Sequence, residues 1–419
     1  MAGMSAPLTI MLVVGEPSGD VLGAELMREL KAHAARAGLP AIKLVGVGGD
    51  AMTREGLQSL FSLDATSVMG LREVVPRIPE ILRRVRQAAD FAVKTRPDVI
   101  VLIDSPDFTH RVARAIKRAD PKLLTLNYAP PQVWASRAGR AKRMATYMDA
   151  VLTLLPFEAP HFERHGLAAH FVGYPVIERA KHMVGGDEFR VRHNIAPNAT
   201  LLAVLPGSRR NEIRFILPVF REAVGILARD MPDLVCVMPT IGHVAPLVQA
   251  AAKDWPTKIH VVEGDAEKFA AFDAADVALA ASGTVTTELA LARTPMVVAY
   301  RVGWLTFAIA RHFVDVAYIT LVNLILGRAA VPEFVQERCT PENLVQALTP
   351  LLRDEGARAA QVADLAEAMA LIGEGQGSPI ARAAQVIMDM ATKAAISRVS
   401  DYLTRRASTR SDGFHCHCL

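Results

Sequence analysis

Short runs rich in Val, Ile and Leu alternate along the chain with longer segments of helical period, the pattern of parallel strands covered on both faces by helices. In the first half these runs are Thr9 to Val14, Lys43 to Val47, Val99 to Ile103, Leu123 to Tyr128 and Ala150 to Leu154. In the second half they recur at Leu201 to Leu205, Val235 to Met238, Ile259 to Val262, Val277 to Ala280 and Met296 to Ala299. The pattern predicts an α/β protein with two Rossmann-like, doubly wound sheets in tandem, facing each other across a cleft. It breaks near Gly173 to Ala180 and restarts after Pro197. A first domain over 1–175 and a second over 176–377 are therefore expected, followed by a helix over 378–403 and a disordered polar tail over 404–419. The helix either crosses back onto the first domain or is exchanged with a second chain in a homodimer; the sequence leaves both open.

Composition supports two buried cores, since 419 residues with 51% hydrophobic content are too many and too apolar for a disordered chain. Four cysteines without regular spacing suit a reducing, cytoplasmic compartment better than a disulfide framework. The N-terminus lacks the basic and long apolar regions of a signal peptide. No run reaches the roughly 18 apolar residues of a spanning helix. The nearest, Gly303 to Gly327, is interrupted by Arg311, His312 and Asp315 and is expected as a buried helix and strand.

Charge changes the picture in one region. Arg72 to Arg143 holds 16 Lys plus Arg against 7 Asp plus Glu, whereas the whole chain has a net charge of +4. A basic first half suits a phosphorylated lipid or an anionic membrane surface. Nucleic acid is not expected, because aromatic residues are 6% of the chain and no nucleic-acid motif occurs. Met69, Leu71, Val74, Val75, Ile78, Ile81, Leu82 and Val85 form an apolar stripe with Arg72, Arg77, Arg83, Arg84 and Arg86 interleaved. Such a segment either lies on a bilayer or packs on the core. The terminal HCHCL carries metal-ligand types, but four consecutive residues do not readily close a tetrahedron, and no metal site is expected.

In open α/β sheets ligands lie beyond the carboxyl ends of the strands. The first strand runs into GEPSGD (Gly15 to Asp20), where glycine permits close approach and the following helix offers free N–H groups to an anion. Gly15, Glu16, Ser18 and Asp20 are thus candidate substrate contacts. After Val99 to Ile103 come Asp104 and Asp107, either of which could accept a proton from an attacking hydroxyl. Helix capping is the alternative, and it fits Asp107 better. In LPGSR (Leu205 to Arg209), Gly207 and Ser208 can offer backbone and hydroxyl donors to a diphosphate, and Arg209 can form charge-assisted bonds to its oxygens. In ASGTVTTE (Ala281 to Glu288), Ser282, Gly283 and Thr284 open a helix, and Glu288 follows Thr284 by one turn, a spacing suited to ribose hydroxyls beside a phosphate.

The wording of these loops resembles the lipid-A-disaccharide synthases. GEPSGD, VMGL (Val68 to Leu71) and IDSPDF (Ile103 to Phe108) are followed in order by YAPPQVWASR (Tyr128 to Arg137), LLPFE (Leu154 to Glu158), FVGYP (Phe171 to Pro175), LPGSR, ASGTVTTE and PMVVAYR (Pro295 to Arg301). The series ends with the segment holding Asn323, Glu333 and Gln336, so it covers roughly nine-tenths of the chain. The resemblance implies a GT-B type fold with the donor nucleotide in the second domain, no metal or other cofactor, and Asp104 as the base. It also implies a reaction between UDP-2,3-diacylglucosamine and 2,3-diacylglucosamine 1-phosphate at the cytoplasmic leaflet of the inner membrane, with Asn323, Glu333 and Gln336 in the donor pocket. Another GT-B enzyme, an epimerase or an N-acetylglucosaminyltransferase, is the alternative. The chain departs from the family wording at Ser136, Tyr174 and Val322, where Trp, His and Pro are usual.

Overall fold

The computed structural model describes residues 7–63, 71–135, 139–303, 307 and 317–411. VMGL apart from Leu71, residues Ser136 and Arg137, most of the apolar stretch between Gly303 and Asp315, and the HCHCL terminus lie outside them. The chain forms two compact units, one of Met1–Gly173 with Gly377–Leu419 and one of Tyr174–Gln376.

The first unit is built on a parallel sheet of six strands: β1 (Thr9–Val14), β2 (Lys43–Val47), β3 (Val99–Ile103), β4 (Thr125–Tyr128), β5 (Ala150–Thr153) and β6 (Ala168–Phe171), in the order β2-β1-β3-β4-β5-β6. Every residue of β3, β4 and β5 is buried, as the near-continuous apolar runs require of strands covered on both faces. β6 has no counterpart among the expected strands. It is a short edge strand of alternating exposure, AAHF, too polar and too brief to stand out as a run.

The same core takes in Ile380, Ala383, Ala384, Ile387, Met388 and Ala391 from the helix Pro379–Ser411, so that helix packs within the first unit. Arg398, past the middle of this helix, donates to the Arg96 carbonyl at 2.8 Å and pairs with Asp98, whose other oxygen accepts the Thr9 amide at 2.7 Å. The helix is longer than expected. Residues 404–411, read from sequence as the start of a disordered tail, are helical, because no Gly or Pro interrupts the segment after Pro379 until Gly413.

The second unit repeats the plan with β7 (Leu201–Leu205), β8 (Val235–Thr240), β9 (Lys258–Glu263), β10 (Val277–Ala281), β11 (Met296–Tyr300) and β12 (Glu333–Val335), in the order β12-β11-β10-β7-β8-β9. β12 is the second strand that the apolar pattern did not reveal; its three residues are half-buried and pair only with β11. The two sheets share a topological feature that places the chemistry. In the first, the chain leaves β1 to one side for β2 and returns to the other side for β3; in the second, β7 is flanked by β8 and β10 in the same way. These reversals are where open α/β sheets leave a crevice for ligands. GEPSGD and the Asp104 turn follow β1 and β3, and LPGSR and ASGT follow β7 and β10. All four motifs therefore stand at switch points.

Candidate active site

At the first switch point the chain leaves β3 through two consecutive non-glycine residues in the left-handed region, Asp104 (φ 52°) and Ser105 (φ 43°). Each such residue costs on the order of 1 kcal/mol or more, so the surroundings must hold the turn in place. They do so on several sides. The Asp104 amide donates to the Tyr128 carbonyl at 3.0 Å, and the Asp104 carbonyl accepts the Thr109 hydroxyl at 2.7 Å. The Ser105 carbonyl accepts the amides of Phe108 and Thr109, both at 3.0 Å, which starts the helix Pro106–Ala119. The Asp104 carboxylate, half-buried, accepts the Ser18 hydroxyl at 3.1 Å, and this bond joins the loops after β1 and β3.

Gly15 is what lets those loops meet. A β-carbon there would come within 2.9 Å of the Ser105 side chain and 3.2 Å of the Phe108 ring. Glu16 follows, and its pKa is raised, first by burial and then by the negative charge of Asp104, with Asp107 adding to the effect. Asp107 is exposed in the first turn of the helix, so it does not cap it; Ser105 holds the N-cap position. Asp20, nominated as a substrate contact, is placed at the start of a neighbouring helix. Its buried carboxylate accepts the amides of Gly49 (2.7 Å), Ala51 (2.8 Å) and Met52 (3.1 Å), which spends both oxygens on the start of the helix Asp50–Arg54. A charged acceptor at a helix N-terminus is structural chemistry here.

A polar relay lies beneath the Asp104 turn. Asn127 on β4 donates to the Leu102 carbonyl at 2.8 Å, and its oxygen faces Nε2 of His110 at 3.2 Å. Nδ1 of His110 meets the Tyr147 hydroxyl at 3.2 Å. This histidine is 2% exposed and its pKa is lowered to about 4, chiefly by burial and further by Arg140 and Arg114.

At the second switch point Gly207 has φ +109°, and a β-carbon there would lie 2.5 Å from the Glu212 carboxylate. Glu212 is 7% exposed and was not singled out in the sequence, although a glutamate three residues into a helix is the mark of a capping box. It accepts the amides of Ser208 (3.0 Å) and Arg209 (3.2 Å) on one oxygen and the Arg209 guanidinium (3.0 Å) on the other. The Ser208 amide, one of the donors expected to face a diphosphate, is thus engaged by Glu212 in this structure. What the loop still offers is the Ser208 hydroxyl and the rest of the Arg209 guanidinium, whose side chain is 76% exposed. His243, also missed, closes the loop from the β8 side by bonding the Ser208 carbonyl at 2.9 Å. Arg210 and Arg214 line a groove of about 950 Å³ with Leu217, Leu247 and Pro256 on the outer face of the helix Arg210–Asp230.

After β10, Gly283 and Thr284 are exposed at the start of the helix Thr284–Leu291, and Ser282 donates to the Ile319 carbonyl at 3.0 Å. Glu288 is buried, and its carboxylate is held between Arg179 and Lys268, the latter at 3.2 Å. A ribose would have to share it with those two cations. Asn323, Glu333 and Gln336, expected in the donor pocket, bond mainly to the backbone around them, with Glu333 also bonded by the side chains of Thr320 and Asn323. Buried Asn323 bonds the Ala330 and Val331 amides, each at 2.8 Å. Glu333 accepts the Ile319 and Thr320 amides, each at 2.9 Å, together with the Thr320 hydroxyl. Gln336 bonds both the amide and the carbonyl of Val302. Irregular segments without a ladder satisfy their polar groups in this way.

The stripe on the helix Leu71–Thr95 divides. Val85 and the partly buried Ile81 pack on the core, whereas Ile78 and Leu82 are each 43% exposed. Met69 and the side chains of Leu71, Arg72, Val74 and Val75 lie outside the described residues. Among the described residues no helix is long and apolar enough to cross a membrane, and no group of His, Cys, Asp and Glu is arranged to hold a metal.

A family profile described as lipid-A-disaccharide synthetase matches residues 10–387. The lipid-A-disaccharide synthase of Rhodospirillum centenum is 45% identical over 391 residues, 93% of this chain and 96% of that protein. The enzyme of the same name from Paramagnetospirillum magneticum is 45% identical over 384 residues, covering 91% and 97%. Among solved structures, MurG of Acinetobacter baumannii aligns at a TM-score of 0.56 and 15% identity over 91% of this chain and all of that one. The UDP-GlcNAc 2-epimerase of Neisseria meningitidis bound to UDP-GlcNAc aligns at 0.56 and 13% over 92% of this chain and all of that one. At such identities the structural matches establish the GT-B type fold alone.

Proposed function

The chain belongs to the family of lipid-A-disaccharide synthases, glycosyltransferases of lipid A biosynthesis that act on a UDP-sugar and a lipid A precursor, and on that premise we propose how its residues divide the work. The donor is UDP-2,3-diacylglucosamine and the acceptor 2,3-diacylglucosamine 1-phosphate. The acceptor hydroxyl attacks the anomeric carbon of the donor sugar, the bond from that carbon to the β-phosphate oxygen breaks, the hydroxyl proton passes to Asp104, and UDP leaves with the bonding pair. Neither an epimerase nor an N-acetylglucosaminyltransferase is favoured, because the likeness to those enzymes stops at the fold.

The observation that carries this division is the strained turn at Asp104. A carboxylate held in a left-handed turn by four hydrogen-bonded neighbours, at the switch point of its sheet, is costly to build and has no helix to cap. Such rigidity suits a base that must meet one hydroxyl in one geometry. Ser18 orients it, and Glu16, Asp107 and the Gly15 backbone complete the acceptor side. On the donor side, Arg209 meets the diphosphate, where charge grows as the glycosidic bond breaks, so it favours the transition state over the ground state. Gly207, Ser208, Ser282, Gly283 and Thr284 surround the same phosphates, and Glu288 receives the ribose. The exposed pair Ile78 and Leu82, beside Arg83 and Arg86 on the same helix, rests on the cytoplasmic face of the inner membrane, where both acylated substrates reside.

Asp104→Asn tests the assignment. UDP release on mixing donor and acceptor should fall at least about 100-fold, with UDP affinity by calorimetry essentially unchanged. Near-normal turnover would remove Asp104 as the base.

A further inference from the structure

Resting on the reading that the first unit receives the acceptor, we propose that Trp134 and Phe157 form the aromatic wall against which the acylated glucosamine of the acceptor packs, and that Glu158 positions it. β4 and β5 are neighbours in the sheet, and β4 also borders β3, so the loops after all three emerge at one edge. The chain leaves β4 through Ala129 at φ 56° and two prolines and reaches Trp134 six residues beyond Tyr128, whose carbonyl holds the Asp104 amide. It leaves β5 into Leu154 to Glu158.

Three N–H groups converge on the Glu158 carboxylate. The indole Nε1 of Trp134 donates to one oxygen at 3.0 Å, and the amides of Leu154 and Leu155 donate to the other, each at 3.0 Å. This carboxyl is 3% exposed, all three of these donors are neutral, and burial raises its pKa. An isolated carboxyl in such a place costs several kcal/mol unless its hydrogen bonds offset that, and packing alone would be served better by an apolar residue. What the carboxyl supplies is orientation: the indole is tethered at its polar edge, and Phe157 meets it edge-on, with ring centres 5.1 Å apart and planes at 82°. Both rings remain only half-buried. A rigid, partly exposed aromatic pair beside a carboxylate matches an acylated sugar, which presents apolar ring and acyl surface around a reactive hydroxyl. The donor carries acyl chains and a stackable base as well; what assigns the wall to the acceptor is its place in the first unit, on the loops beside the Asp104 turn.

Steady-state kinetics on the full chain with each substrate varied in turn test this. Trp134→Ala should raise the acceptor KM roughly tenfold while the donor KM stays within about twofold. Glu158→Gln, which offers one acceptor oxygen to three donors, should move the acceptor KM in the same direction and leave the donor KM alone. A second measurement needs no turnover. Titrating 2,3-diacylglucosamine 1-phosphate without donor should change the indole emission of the unmodified protein, and Trp134→Phe should abolish that change although Trp255 and Trp304 remain. An unaltered acceptor KM in Trp134→Ala, or an emission change that survives in Trp134→Phe, would overturn the assignment. No turnover in the unmodified protein, with the emission change present, would count against the transfer reaction and in favour of this wall.

Discussion

His110 should make the first unit sensitive to mild acid. Its ring is wedged between Asn127 and Tyr147, with Nε2–H donating to the Asn127 oxygen and Nδ1 accepting from the Tyr147 hydroxyl. Protonation would turn Nδ1 into a second donor facing that hydroxyl, in a buried site where Arg140 and Arg114 already repel positive charge. The folded pKa of about 4 lies below the ordinary 6.5, so between these values the unfolded chain binds the proton and the folded chain does not. Stability contributed by the neutral ring is therefore complete above pH 6.5 and is lost as the pH falls toward 4. The full loss is about 3 kcal/mol, of which about 2 kcal/mol has gone by pH 5. Between pH 7.5 and pH 5, urea unfolding should lose about 2 kcal/mol more in the unmodified protein than in His110→Gln, whose amide can bridge the same two partners without titrating. The histidine Hε1 resonances should include one that does not move until the pH is well below 5. A His110 signal titrating near 6.5, or an equal pH dependence in the variant, would refute the reasoning.

Replacing Asp20 by Ala should cost about 3 kcal/mol in thermal or urea unfolding, because three amides lose their acceptor in a buried place; a change below about 0.5 kcal/mol would refute the capping role. Arg209→Ala should lower kcat about 100-fold with a smaller effect on donor KM, and equal losses in binding and turnover would argue for mere ground-state attraction. Flotation with vesicles containing anionic lipid should recover the unmodified protein and lose most of the double variant Ile78→Ser, Leu82→Ser; undiminished flotation would place membrane contact elsewhere.

Among the described residues, ten of the twelve strands and all four motif loops could be read from the order of residues, because fully buried parallel strands write themselves as apolar runs and because the loops after them are short and polar. β6 and β12 escaped: at a sheet edge, half-exposed, a strand of three or four residues needs no apolar signature. The residue types of the candidate site and the loops that hold them were legible, but not the partner that each side chain meets. Asp20, Asn323, Glu333 and Gln336 have the chemistry of ligand contacts, and so do Asp104 and Arg209. Nothing in one dimension tells a carboxylate that will meet three backbone amides from one that will meet a hydroxyl.

The sequence by itself determined the two-sheet plan, the loops at the carboxyl ends and the residue types that stand there, since these follow from local period and adjacency. Tertiary structure alone decided which polar side chains are spent on the fold. Asn127, His110 and Tyr147 are brought together across 37 residues, Glu212 claims amides that a phosphate could have used, and Trp134 finds Glu158 on the neighbouring strand's loop. The reason is that a buried polar group must be satisfied by whatever the packing brings beside it, and that partner is set by the strand order rather than by distance along the chain.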